Sequence, residues 1–274
     1  MIDDEVAMKN FCRVGGISAA AGIGLLLAGA AAAADLPPAP PTLTALVPDT
    51  EIRLTPFFWA AGLSGTIGTR RTLPTVDVDV EFKDILRNLD FAAMLAGEYR
   101  QGRWGLLADL TYVAVSVERD RDIVPQAPGV MGAALKSRTF TATATGFYRF
   151  YDAGSFTADV VAGARVWSIG TDLDLQLAGV LPVSAGSSRT WVDPVAGVRV
   201  HAELGHGFGI SAYGDVGAGS SRLTWQLRAT LDYAFNENWS ASVGYRHLAV
   251  DYRRGGFTYD TSLSGPIMGV SYRF

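Results

Sequence analysis

Arg222–Phe235 reads RLTWQLRATLDYAF, with apolar side chains at every second position: Leu223, Trp225, Leu227, Ala229, Leu231, Tyr233 and Phe235. Between them stand Arg222, Thr224, Gln226, Arg228, Thr230, Asp232 and Ala234. Side chains on a strand alternate between two faces, so the segment has one apolar side and one polar, charged side. A helix would scatter both classes around its circumference. Aromatic residues near both ends of the apolar side suit a tilted strand crossing a bilayer, which needs roughly 9–11 residues. The stretch therefore predicts a transmembrane β-strand.

Composition agrees. Only 18% of the 274 residues are charged, the net charge is −4, and mean hydropathy is +0.18. A weakly acidic balance gives no footprint for nucleic acid. After residue 35 no apolar run is long enough for a membrane helix, so the hydropathy must come from dispersed apolar residues, as in a barrel.

Residues 1–34 carry Lys9 and Arg13, the apolar run Ile17–Ala33, and Ala32-Ala33-Ala34 before Asp35. These are the parts of an export signal peptide, with a transmembrane anchor as the alternative reading. Cys12, the single cysteine, falls inside this segment, so the mature chain is expected to need no disulfide. Residues 35–50 (DLPPAPPTLTALVPDT) form a Pro-rich extended leader on the periplasmic side. Residues 51–274 form the barrel.

Within the barrel, strands are expected at Glu51–Leu63, Phe91–Arg100, Trp104–Val117, Arg138–Tyr151, Phe156–Thr171, Thr190–Leu204, Phe208–Ala218, Arg222–Phe235, Trp239–Tyr252 and Ser264–Phe274. Gly65–Asp90 is read as a long loop with a hairpin extension at Thr75–Phe82 and a short helix at Lys83–Leu89, folded over or into the barrel. Glu118–Lys136 and Asp172–Ser188 are read as the other long loops, and Pro194 predicts a bulge. Tight turns at Gln101, Asp152, Gly205 and Asn236 alternate with longer connections after 64, 118, 172, 219 and 253. Short periplasmic turns and longer external loops are the pattern of outer-membrane barrels, which have an even strand number. The fold class is thus an all-β, antiparallel up-and-down transmembrane barrel of ten strands. Twelve follow if Thr75–Phe82 belongs to a spanning pair, eight if a short pair does not span.

The last strand places Met268, Val270, Tyr272 and Phe274 on its apolar face and stops on Phe. It resembles the closing strand of Gram-negative outer-membrane proteins, whose terminal aromatic is part of the signal read by the barrel-assembly machinery. Gly244-Tyr245-Arg246-His247-Leu248 is similar to a penultimate-strand motif of the same group, departing from it at His247, where an aromatic is expected. Residues 51–274 as a whole resemble the OmpA-like and opacity-like porin superfamily. That resemblance implies a monomer in the cell outer membrane, in contact with lipid and lipopolysaccharide and assembled through the strand ending at Phe274. It implies no nucleic-acid partner.

Outward apolar faces leave Arg53, Arg100, Arg149, Arg165, Arg199, Arg228, Arg246 and Arg273 for the lumen. With them go Glu98, Asp109, Asp159, Asp193, Glu203, Asp215 and Asp232. Near balance predicts a salt-bridged, largely plugged interior, with a small polar pore or ligand cavity as the alternative. Some outer-membrane barrels are proteases or lipid A hydrolases and acylases, which need a histidine beside a carboxylate or serine near the outer rim. His201 and His206 lie beside a short turn at the other end, and the parity of His247 points it at lipid. No catalytic, cofactor or metal site is therefore assigned. The expected role is structural or that of a low-conductance passive pore; a barrel enzyme or a loop-mediated adhesin are the alternatives.

Overall fold

The structure, a computed structural model, describes residues 50–68, 76–120, 130–177 and 183–274. Residues 1–34 and all of the Pro-rich leader but Thr50 lie outside the described residues. In chain order the elements are β1 (Thr50–Trp59), β2 (Gly62–Gly68), β3 (Val76–Val80), α1 (Phe82–Arg87), β4 (Leu89–Gln101), β5 (Trp104–Asp120) and β6 (Val130–Asp152). Then follow β7 (Phe156–Leu177), β8 (Val183–Gly205), β9 (Phe208–Gly217), β10 (Leu223–Ala234), β11 (Trp239–Arg254) and β12 (Phe257–Arg273).

Neighbours pair antiparallel from β4 to β12, β1 pairs with β4, and β12 returns to β1. Ten strands thus close into a barrel, while β2 and β3 continue the sheet beyond it along the upper part of β12. Closure satisfies the backbone inside hydrocarbon, where an open edge is not tolerated. The outward face carries Leu106, Leu110, Val160, Val198, Ile210, Leu227, Val243 and Val270, all exposed. At the short-turn end an aromatic girdle surrounds it, with Trp104 on Tyr148 (4.6 Å), Phe208 on Tyr233 (4.7 Å) and Trp239 on Tyr272 (4.9 Å). Phe58, Phe91 and Tyr245 lie nearer the other end, also exposed. An apolar band between aromatic girdles is the surface a bilayer requires.

Strand one continues past the expected break. Trp59 pairs with Ile267 and Gly62 with Ser264, so β1 and β2 keep one register against β12. They are interrupted at Ala60-Ala61, opposite Gly265-Pro266, where Pro266 has no N–H to give. Ala60 N–H still reaches the Pro266 carbonyl at 2.9 Å. A side chain at Gly265 would stand 1.9 Å from the Ala60 oxygen, so the close approach requires glycine. α1 forms where the short helix was expected, but it is not in the barrel: none of its residues is buried, and Phe82 packs edge-on against outward Phe58 at 5.7 Å.

Three expectations are corrected. Much of Glu118–Lys136 and Asp172–Ser188 is ladder, because β5 runs to Asp120, β6 starts at Val130, β7 runs to Leu177 and β8 starts at Val183. Polar sequence does not prevent pairing beyond the bilayer, since backbone groups make the ladder. The longer connection after 253 is a two-residue turn, Gly255-Gly256 at φ 63° and 87°, so the last strand begins at Phe257. Two central residues at positive φ match the strand twist in a hairpin. Pro194 makes no bulge: it pairs in step with Ala164, and β9 ends at Gly217 opposite Val195, so no partner needs its missing N–H.

The barrel interior as the candidate functional site

Inward positions of each strand build the interior in levels. At the short-turn rim, Glu51 accepts hydrogen bonds from Arg53 and Arg100, each at 2.6 Å. Nearby, Ser211 Oγ donates to Asp232 at 2.5 Å and contacts His201 Nδ1 at 2.9 Å. A cavity of about 450 Å³ opens here, lined by Arg53, Glu98, Arg228, Asp232, Ser242 and Ser271 among others, and by the turn residues Gly207 and Asn236.

Charged pairs roof it. Arg199 bonds both oxygens of Glu98 at 2.9 Å and Asp159 at 2.6 Å, with its guanidinium 4.5 Å over the Phe147 ring. Arg149 shares Asp159 at 2.9 Å. Arg246 bonds Asp109 at 3.0 and 3.2 Å and Gln226 at 2.6 Å, and lies 4.6 Å over the Trp59 ring. Arg165 bonds Thr143 (3.0 Å), Thr224 (3.1 Å) and both oxygens of Asp215 (2.9 and 2.6 Å). The forked guanidinium suits two-point contact with a carboxylate, which is how a buried ion offsets its lost hydration.

Above the charges the lumen turns apolar. Trp59, Trp167, Trp191, Leu248, Val250, Tyr252, Phe257, Tyr259 and Ile267 form one buried cluster. Trp191 stacks on Tyr252 at 4.1 Å and lies parallel to Trp167 at 6.0 Å. The connection between β9 and β10 turns inward over this cluster. Ser221 donates its N–H to Asp193 at 2.7 Å and its hydroxyl to the same carboxylate, while Trp191 Nε1 donates to Ser221 at 3.1 Å. Arg165, Arg246 and Trp167 are each 0% exposed, so the cross-section at these levels is filled.

Most of the residues expected in the lumen are there, and most are paired. Others are not paired as expected: Asp193 is held by Ser221 and Asp232 by Ser211 rather than by an arginine, Arg228 only approaches Asp109 at 3.7 Å, and Glu203 is exposed at the rim. His201 lies beside the short turn, as its sequence position implies. His247 stacks against Trp225 at 4.5 Å and contacts Ser264 at 2.6 Å on the outward side. In the His201–Ser211–Asp232 line the serine stands between the other two and donates to the carboxylate. A nucleophilic serine needs the histidine in the middle, accepting its proton. No cluster of metal-ligating side chains occurs among the described residues.

The aromatic cluster was missed in sequence. Its signal was present as tryptophan at the inward parity of three strands (Trp59, Trp167, Trp191), where a charged lumen was otherwise expected.

No family model and no curated protein matches the sequence. Solved structures similar in outline include the translocator domain of the autotransporter NalP from Neisseria meningitidis, 12% identical over 82% of this chain and 88% of that one, with a TM-score of 0.41. The outer-membrane protease OmpT from Escherichia coli is 10% identical over 83% and 97%, also at 0.41. Ail, the attachment invasion locus protein of Yersinia pestis, is 12% identical over 82% and 99%, at 0.35. Closure of ten strands and the apolar, aromatic-bordered exterior make this chain a small β-barrel of the outer-membrane kind.

Proposed function

We propose that the protein is a structural outer-membrane barrel that passes ions and solutes poorly or not at all. What carries this reading is the filled cross-section at Arg165, Arg246 and Trp167, each 0% exposed. A water-filled channel needs a continuous polar path, and here the charged levels are bonded to one another and capped by apolar rings. On this reading residues 1–34 are removed on export, 35–50 form a periplasmic leader, and the strand ending at Phe274 is handed to the assembly machinery. On the same reading the barrel works as a monomer without chemical catalysis, and the Ser211 hydroxyl, which donates to Asp232, supports no nucleophilic role for that serine.

In planar bilayers the mature protein is expected to give no resolved steps, or small ones only. Large stable conductance would overturn the closed lumen. Intact mass of the membrane-extracted chain reads the cleavage after Ala34. Unchanged lipid A mass spectra with and without the protein are expected, and a new lipid A species would restore the enzyme reading.

A further inference from the structure

The cavity at the short-turn end has an arginine, Arg228, that approaches Asp109 at 3.7 Å and the Tyr213 ring at 5.6 Å but, among the described residues, donates no hydrogen bond to the wall. Register places Arg149, Asp159, Arg199, Tyr213, Arg228 and Arg246 side by side on six consecutive strands, β6 to β11. That row holds four arginines and one carboxylate. Two more carboxylates reach it from the opposite wall, Glu98 to Arg199 and Asp109 to Arg246. Arg149 additionally leans to Asp152 at the rim, at 3.7 Å. The charge left over is on Arg228. Its nearest carboxylate is Asp109 at 3.7 Å, already bonded to Arg246, and among the described residues Arg228 makes no hydrogen bond.

A guanidinium has five N–H donors in a fixed fork, and it remains charged at any physiological pH. Arg228 presents that fork to a cavity of about 450 Å³, a volume within the usual range for small-molecule sites. The Arg246 side chain next to it, directly cross-strand, strengthens the local positive potential. Below it the lining mixes hydroxyls (Thr55, Thr230, Ser242 and Ser271) with the charged side chains of Arg53, Glu203, Asp232, Glu237 and Arg273. The cavity opens at the end where the short turns lie and is roofed by the charged level of Glu98, Asp109 and Arg199, above which lies the aromatic cluster.

We infer that the cavity is a binding site for a small hydroxylated oxyanion entering from the periplasm, with Arg228 clamping its carboxylate or phosphate and the hydroxyl wall taking its body. Two oxygens on one carbon or phosphorus supply the acceptors that the Arg228 fork lacks, and the negative charge they carry meets the cation that the row leaves without a hydrogen-bonded carboxylate. This site goes beyond the structural role proposed above. It requires no path through the barrel, so a conductance measurement neither supports nor removes it.

The test is calorimetric titration of the mature barrel, folded in detergent, with gluconate, glycerol 3-phosphate and uncharged glucose. Saturable binding of at least one anion is expected, with glucose silent; gluconate alone binding identifies a carboxylate site, and the phosphate binding identifies an oxyanion site of either kind. Arg228→Gln should weaken the anion about tenfold or more. Arg228→Lys, which keeps the charge but not the fork, should weaken it less. Arg253→Gln, at the far end of β11, should bind as the parent does. Heat-dependent gel mobility reports folding of each variant, and the lysine variant carries the test if the glutamine variant does not fold. Absence of saturable anion binding by the parent, equal binding by the folded Arg228 variants, or equal binding of glucose would each overturn the site.

Discussion

The two halves of the lumen are built on the same alternation and filled by opposite chemistry. Toward the short turns the inward residues are arginines and carboxylates around a cavity of about 450 Å³; toward the long hairpins they are buried tryptophan, tyrosine and leucine. The charged half is held by directional bonds between strands that are not neighbours, such as Arg165 on β7 with Asp215 on β9 and Arg246 on β11 with Asp109 on β5. The aromatic half is held by contact area, and its rings need only neighbours of suitable shape. The first arrangement fails when one partner is removed, the second when volume is removed.

Removing a partner should cost most. Arg165→Ala leaves the Asp215 carboxylate, 0% exposed at its side chain, without its cation and with a void beside it. The expected loss is about 5 kcal/mol, the upper end for breaking a buried pair. The double variant Arg165→Met/Asp215→Leu should recover most of that loss, since a well-packed apolar pair replaces the ions. Urea unfolding in lipid vesicles measures both; equal instability of the single and double variants would show that the void, not the orphaned charge, sets the cost.

Removing volume should cost somewhat less and show in a second readout. Trp167→Ala opens the aromatic level where Trp167 faces Trp191 and Tyr259. About 3–4 kcal/mol of stability should be lost, as for large-to-small changes in protein cores. Because this level blocks the lumen above the charged pairs, the variant should also raise conductance above the parent's. An unchanged conductance would place the barrier in the charged levels alone.

How far the sequence could be read follows from which interactions leave a local trace. Alternation did: Leu227 and Leu231 face outward, Arg228 faces the lumen, and Asp152 and Asn236 sit at tight turns as expected. The height of a residue along the barrel did not, because it depends on the tilt and stagger of strands far apart in the chain. So Arg246 and Asp109 could be placed in the lumen separately but not joined. Hairpins beyond the bilayer were read as loops at Glu118–Lys136 because outside hydrocarbon nothing forces alternation, and the ladder there rests on the backbone. Gly255-Gly256 is different, since paired glycines between alternating runs are a hairpin signal present in the sequence itself.

The wall shows a smaller contrast of the same kind. Between β6 and β7 the ladder runs nearly the whole length of both strands, whereas β1 and β4 stop pairing at Pro56 and Leu95. Three residues further on, the Trp59 N–H donates to the Met94 thioether at 3.3 Å, a weak acceptor. Met94→Leu keeps nearly the same volume and removes that acceptor. It should cost about 1 kcal/mol, the modest end for a lost hydrogen bond, and make exchange of the Trp59 amide about fivefold faster. The Ile52 region, where β1 is paired on both sides, should be unaffected by the change. Faster exchange confined to Trp59 would mark the β1–β4 junction as the place where the barrel wall yields first. An unchanged rate at Trp59 would mean that sulfur contributes nothing there and that the wall is closed by packing alone.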